Sequence, residues 1–291
     1  MLASIDTRPR DVRFNFDGRV AVVTGAAAGL GRVLALALAR SGARLVLSDI
    51  DGDGLVETAR QVGHTDASGR ADVRVADVGS EHDVAALFDH VDRTCESVDM
   101  LFNVAGVNPL REAPERFPVE AWNSILRVNL TGTLLCAQAA ARRMRSSGRG
   151  GSIVNVSSIA ATTSLGRGNV AYAASKAAIH QLTRDLAVAW APYGIRVNSV
   201  QPAQIDGPAW QAWREDPVRA VWLQGILAGI PAGRMPTAEE IVWPALFLAS
   251  DAATMITGSA LPVDGGNLAL NAGAVQPGWT GGSRTMPGHD R

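Results

Sequence analysis

Short apolar runs alternate along this chain with longer stretches of helical periodicity. The short runs, bounded by turn residues, read as strands near residues 20–24, 44–48, 71–75, 99–103, 151–156, 195–200 and 260–263, with helices filling most of the intervals. Alternation this regular argues for one α/β domain built on a single doubly wound, parallel sheet of about seven strands. Ligands of such sheets bind across the carboxyl ends of the strands, where strand order reverses. Gly25, Asp49, Asp77, Asn103 and Ser158 all fall at predicted strand ends and so converge on one edge.

Composition narrows the function classes. A chain of 291 residues with 47% hydrophobic and 19% charged side chains can bury one large core. Its net charge of −1 gives no electrostatic case for nucleic acid or an anionic membrane. Cys95 and Cys136, both in apolar segments that read as helical, argue against a disulfide framework. His64, His82, His90, His180 and His289 are scattered, no Cys/His cluster has metal-ligand spacing, and no metal is expected. Neither a long apolar span nor a signal segment is visible, so a cytoplasmic protein is expected.

The first chemical motif follows the first strand. Arg19 to Thr24 leads into Gly25-Ala-Ala-Ala-Gly29-Leu30-Gly31 and then the apolar run Val33 to Ala39, which is strand, glycine turn, helix. Glycines at this spacing let the backbone approach a pyrophosphate, held by the N–H groups and positive end of the helix. A second strand ends at Asp49, 20 residues beyond Gly29. A carboxylate there accepts hydrogen bonds from both ribose hydroxyls of an adenosine and repels a 2′-phosphate. At about 4 Å each unit pair costs about 1 kcal/mol in water and about 4 in a partly buried site. Ala28 offers no compensating cation, so NAD is favoured over NADP.

The second motif is Ala171-Tyr172-Ala-Ala-Ser-Lys176. Four residues is one helical turn, which puts the phenol and the ammonium on one face. A free phenol has a pKa of about 10, and a neighbouring Lys favours the phenolate, moving proton exchange with an alcohol toward neutral pH.

With these motifs in order, the chain resembles the short-chain dehydrogenase/reductase family from about Phe16 to Gly266. Thr24 to Gly31 is similar to that family's cofactor loop, Asp77-Val78 to its adenine contact, and Asn103-Val-Ala105-Gly106 to the motif closing its fourth strand. Asn129 resembles its helix-bending Asn, Gly151 to Ser158 its catalytic Ser strand, and Tyr172 to Lys176 its catalytic helix. The resemblance implies a Rossmann-type fold, a homotetramer or homodimer, and hydride transfer coupled to proton transfer. It assigns Tyr172 as acid/base, Lys176 to the Tyr pKa and the nicotinamide ribose, Ser158 to the substrate oxygen, and Asn129 to a water relay from Lys176. Ser157 is the rival for Ser158, because the gap from Ser158 to Tyr172 is one residue longer than the commonest family spacing.

Departures from the family pattern bear on cofactor geometry and substrate. Pro202 is followed by Ala203 where the family usually has Gly, and Gly207 lacks the hydroxyl of a Thr that touches the carboxamide, leaving the Ile205 backbone as substitute. The segment 203–234, a lid in similar proteins, carries Trp210, Trp213 and Trp222 of the chain's 7 Trp. They suit either an apolar cover over a cyclic alcohol or ordinary packing of the lid. Asn108 to Arg111 and Leu186 to Gly194 look similar to sugar-acid and polyol dehydrogenases, and Arg111 is placed to grip an anion. Residues 1–15 read as an extension, 16–266 as the domain and 267–291 as a tail in which Trp279 anchors on a neighbouring subunit. The expected function is an NAD-dependent oxidoreductase interconverting a secondary alcohol and its ketone. A non-catalytic NAD-binding sensor or scaffold is the alternative.

Overall fold

In the computed structural model, residues 13–65 and 71–270 are described. Expectations for Trp279, and for the parts of both extensions beyond those bounds, lie outside the described residues. Seven strands form one sheet: β1 (Val20–Thr24), β2 (Arg44–Asp49), β3 (Ala71–Val75), β4 (Met100–Asn103), β5 (Gly151–Val156), β6 (Ile195–Pro202) and β7 (Ala260–Val263). Their order is β3-β2-β1-β4-β5-β6-β7, and every pairing is parallel. The doubly wound sheet expected from the sequence is therefore present.

Parallel strands need crossovers, and here helices supply them: α1 (Gly29–Arg40), α2 (Gly52–Thr65), α3 (Glu81–Thr94), α4 (Val119–Leu126), α5 (Gly132–Ser147), α6 (Val170–Trp190), α7 (Pro208–Glu215), α8 (Pro217–Ala228) and α9 (Ala238–Ala249). Leu34, Leu38, Leu55 and Leu246 from α1, α2 and α9 pack one face of the sheet, and Leu87, Phe88, Ala140 and Met144 from α3 and α5 pack the other. Because both faces are covered, β1 and β4 are buried at every position. Each such Leu or Phe contributes about 1.5–3 kcal/mol of burial. β3 lies at the edge and is correspondingly more exposed. Cys95 is a correction to the sequence reading: it caps the end of α3 and is not inside it, although both cysteines are free and buried.

Strand order reverses between β1 and β4, whose carboxyl ends align Thr24 with Asn103. The loops leaving these two strands must diverge, and that divergence opens the cleft.

Candidate active site

The glycine turn is dictated by backbone space. Gly25 has φ +70°, and a Cβ there would lie 2.7 Å from the Ala105 nitrogen. A Cβ on Gly31 would collide with the Gly25 carbonyl. The Thr24 hydroxyl accepts from the Val104 and Ala105 N–H groups at 3.2 and 3.3 Å, tying the loop after β4 to the end of β1. At the start of α1, Ala28 supplies no side-chain cap, and the first turn holds no acidic residue. Its N–H groups therefore stay available to an anion.

A cavity of about 410 Å³ opens at this point. Gly25, Leu30, Gly31, Asp49, Asp77, Val78, Ala105, Gly106, Tyr172 and Lys176 all line it, so residues far apart in the chain meet as expected. The Asp49 carboxylate accepts from the Ala27 N–H at 3.0 Å and the Asp51 N–H at 3.2 Å, which holds it at the mouth of the glycine turn. Asp77 accepts from Gly79 N–H at 2.8 Å and is paired with Arg127 at 2.7 Å.

Helix α6 brings Tyr172 and Lys176 into the same cavity, one turn apart. Burial raises the Tyr172 hydroxyl above the ordinary phenol value, and a hydrogen bond with Ser158 opposes that rise. Burial also lowers the Lys176 ammonium to about 8. The Lys176 Nζ donates to the Val156 carbonyl at 2.8 Å and sits 5.6 Å from the centre of the Tyr172 ring. The lowering of Tyr172 expected from Lys176 is thus not what registers here; Ser158 is the opposing group. Ser158 Oγ accepts from Ala160 N–H at 3.1 Å, while Ser157 Oγ donates to the Lys176 carbonyl at 3.2 Å. The two serines divide: Ser158 bonds the phenol without lining the 410 Å³ cavity, whereas Ser157 lines that cavity with its hydroxyl tied to the helix backbone.

Asn129 sits in a π-helical turn, Arg127–Thr131, between α4 and α5. Widened turns of this kind recur at functional sites. Its side chain is fully engaged: Oδ1 accepts from Val107 N–H at 2.7 Å, and Nδ2 donates to the Val107 carbonyl at 3.0 Å and to Ser175 Oγ at 3.1 Å. A Cβ on Gly106 would lie 3.4 Å from both Asn129 Oδ1 and Lys176 Nζ, so these three groups share one corner.

A family model described as enoyl-(acyl carrier protein) reductase matches residues 25–267. The chain belongs to the short-chain dehydrogenase/reductase family. It is 39% identical to a D-threitol dehydrogenase of Mycolicibacterium smegmatis, over 88% of this chain and 95% of that protein. It is 41% identical to a cis-4-hydroxycyclohexanecarboxylate dehydrogenase of Sinomonas cyclohexanicum, over 88% and 98%. Among solved structures, levodione reductase superposes with a TM-score of 0.83 at 31% identity, covering 89% of this chain and all 100% of that one. Members of similar fold hold either dinucleotide. A xylitol dehydrogenase is NAD+-bound (TM-score 0.80, 31% identity, 86% and 99% covered). A gluconate 5-dehydrogenase from Burkholderia cenocepacia is complexed with NADP and tartrate (TM-score 0.80, 34% identity, 89% and 98% covered).

Several residues singled out from the sequence lie elsewhere in this short-chain dehydrogenase/reductase. Asn103 is buried with its side chain turned into the sheet, donating to Asn155 Oδ1 at 2.9 Å, and Asn155 in turn donates to Thr183 on α6 at 3.0 Å. It ties β4 to β5 and does not line the cavity. Pro202 pairs with Val263 at the end of β6, and Ala203 N–H donates to the same Val263 at 3.2 Å, which makes both part of the sheet. The Ile205 carbonyl accepts from the Trp210 indole at 3.0 Å, which ties this backbone group to the lid. Trp210 and Trp213 meet edge to face at 5.1 Å, and Trp210 packs on Leu223, Ile230 and Met235. These two Trp residues hold the lid segment together, and neither lines the cavity. Trp222 on α8 is 68% exposed. Conversely, Arg127, which lines the cavity, carries no signal in the sequence that marks it as a site residue. Arg127 is 50 residues from its partner Asp77, and no periodicity signals a pair at that separation.

Among the described residues no helix is long and apolar enough to cross a membrane, and no His/Cys/Asp/Glu group could hold a metal.

Proposed function

We propose that this protein is an NAD-dependent dehydrogenase that interconverts a secondary alcohol and its ketone, with Tyr172 as the acid/base. Membership of the family makes it an oxidoreductase acting on CH–OH groups. The observation that carries the finer reading is the shared cavity, where the uncapped start of α1, Asp49, Tyr172 and Lys176 line one wall-to-wall path.

The residues present fit a nicotinamide dinucleotide. The N–H groups at the start of α1 hold its pyrophosphate, Asp49 takes the adenosine ribose, Asp77 and Val78 flank the adenine, and Lys176 reaches the nicotinamide ribose. Asp49 supports NAD over NADP, because its charge opposes a 2′-phosphate. When bound, the cofactor supplies the ring that accepts or gives hydride. Every other task falls to the chain. In the oxidation direction Tyr172 as phenolate takes the hydroxyl proton. The Ser158 hydroxyl turns its one proton from the phenol to the substrate oxygen and orients it. Lys176, charged at neutral pH, stabilises the phenolate once it forms. Asn129 clasps Val107 and so positions the Gly106–Val107 turn beside the ammonium, with the proton leaving by the Lys176 side. The substrate is a sugar or polyol derivative, or a cyclic alcohol, and the active form is a homotetramer or homodimer.

NADH formation from a panel of such alcohols, with NADP in parallel, tests this. Turnover preferring NAD and lost in Tyr172→Phe is expected. Turnover undiminished in Tyr172→Phe rejects the mechanism, and dinucleotide binding with no turnover on any alcohol returns the sensor reading.

A further inference from the structure

We propose that Arg167, with Arg111 beside it, is the anion-binding element of the substrate cleft, so that the alcohol taken by this enzyme carries a carboxylate. This rests on the dehydrogenase reading above and names the substrate class within it.

A second cavity, of about 530 Å³, begins at Ile159, the residue after Ser158. It runs under α8 of the lid, past Gly225 and Ile226, to the segment ending at Leu270. Its lining is rich in neutral hydrogen-bonding groups, among them Thr162, Thr163, Ser164, Gln204 and Asn267. Arg167 is the single charged side chain among the described residues of that lining. A hydroxylated ligand bearing one negative charge matches this inventory, whereas a wholly apolar ring leaves the polar groups unpaired.

The backbone presents Arg167 deliberately. It is flanked by Gly166 and Gly168, both left-handed at φ +60° and +65°, which fold the loop sharply just before α6. Gly168 lies against Glu112: the Glu112 N–H donates to the Gly168 carbonyl at 2.8 Å, and a Cβ on Gly168 would come within 2.6 Å of the Glu112 carbonyl. That latch joins the loop after β4, which carries Arg111, to the loop carrying Arg167. The two guanidinium groups are thereby brought near enough for the Arg111 charge to act on Arg167.

Neither arginine has a hydrogen bond or an ion pair among the described residues. The carboxylate next to Arg111 in the chain, Glu112, is engaged with Arg116 at 2.9 Å and with the Ala113 N–H at 2.6 Å. Arg167 is partly buried, and burial first, then the Arg111 charge, holds it below the ordinary arginine value. A half-buried cation beside a like charge is unfavourable until an anion arrives. A carboxylate between them relieves both penalties and can bond the planar fork of Arg167 bidentately.

The test is calorimetric titration of the NADH-loaded enzyme with matched pairs: gluconate against glucitol, and cis-4-hydroxycyclohexanecarboxylate against 4-methylcyclohexanol. At least one carboxylate is expected to bind more tightly than its neutral partner, with the advantage shrinking as salt is raised. Arg167→Gln should weaken that carboxylate about tenfold, as loss of one charge-assisted pair implies, and leave the neutral partner unchanged. Arg167→Lys, retaining charge without the fork, should fall between, and Arg111→Gln should have the smaller effect. Equal binding of every carboxylate and its neutral partner to the wild type overturns the proposal, as does Arg167→Gln binding both members of a pair as the wild type does. The wild-type comparison needs no variant to fold. Titration needs no turnover, so absence of NADH formation from any alcohol would reject the dehydrogenase reading separately.

Discussion

The glycine turn and the lid are specified by different physics. In the turn between β1 and α1, the constraint is the backbone itself: Gly25 and Gly31 admit no Cβ, and the Thr24 hydroxyl pins the neighbouring loop. In the lid, α7 and α8 are held by side chains, with Trp210 on Leu223, Ile230 and Met235 and its indole N–H on Ile205. A backbone constraint leaves a single permitted residue and a recognisable string of letters. Side-chain packing tolerates many solutions, so it leaves almost no signature.

The contrast can be tested by substitution, and the largest effect belongs to the catalytic helix beside the glycine turn. Tyr172→Phe should reduce kcat by about 10²–10⁴, the range for a lost acid/base group, with NAD binding retained by calorimetry. Retained turnover would detach the cavity from the chemistry. Gly31→Ala comes next: its Cβ has no space beside the Gly25 carbonyl, and about 3 kcal/mol of destabilisation is expected in denaturant unfolding. If the variant were as stable as wild type, the turn would not be backbone-limited.

Lys176→Met addresses the buried charge. Burial lowers the folded-state pKa of Lys176 to about 8, below the ordinary value of 10.5, so the unfolded chain binds the extra proton between those values. Wild-type stability from this group therefore rises with pH across that window. The variant should be more stable than wild type by about 1–3 kcal/mol at pH 7, with the gap closing from pH 8 to 10.5 in urea titrations. A gap independent of pH would mean that burial of the ammonium is not its cause. Asp49→Ser should raise the KM for NAD about tenfold and narrow the preference over NADP, measured by initial rates with each cofactor. The smallest effect is on the lid surface: Trp222→Ser should change stability by less than about 0.5 kcal/mol, because the side chain is 68% exposed. A larger loss in the wild-type assembly would place Trp222 at a subunit contact.

Much of this molecule was legible because its patterns are local. All seven strands lie where the pattern predicts them, with β2 running on to Asp49, β4 starting one residue late at Met100 and β6 running on to Pro202. The strand-end positions of Gly25, Asp49 and Asp77 followed from the same pattern, and these residues do line one cavity. Asn103 misled, because a polar residue at a strand end looks the same whether it faces the cleft or, as here, Asn155 inside the sheet. Trp210 misled for a similar reason: an aromatic in a lid reads as a substrate contact until its neighbours are known.

Element type, strand number and the chemical letters of the glycine turn and of Tyr172 and Lys176 were set by the sequence alone, since they depend on periodicity and on spacings within a few turns. Tertiary structure decided which serine faces Tyr172, that Asn129 clasps Val107, that Arg127 pairs with Asp77 and that Gly168 latches onto Glu112 beside Arg167. Each of those contacts joins residues separated by 14 to 56 positions. No local preference encodes such a pairing; it arises only when the parallel sheet brings the carboxyl ends of its strands together.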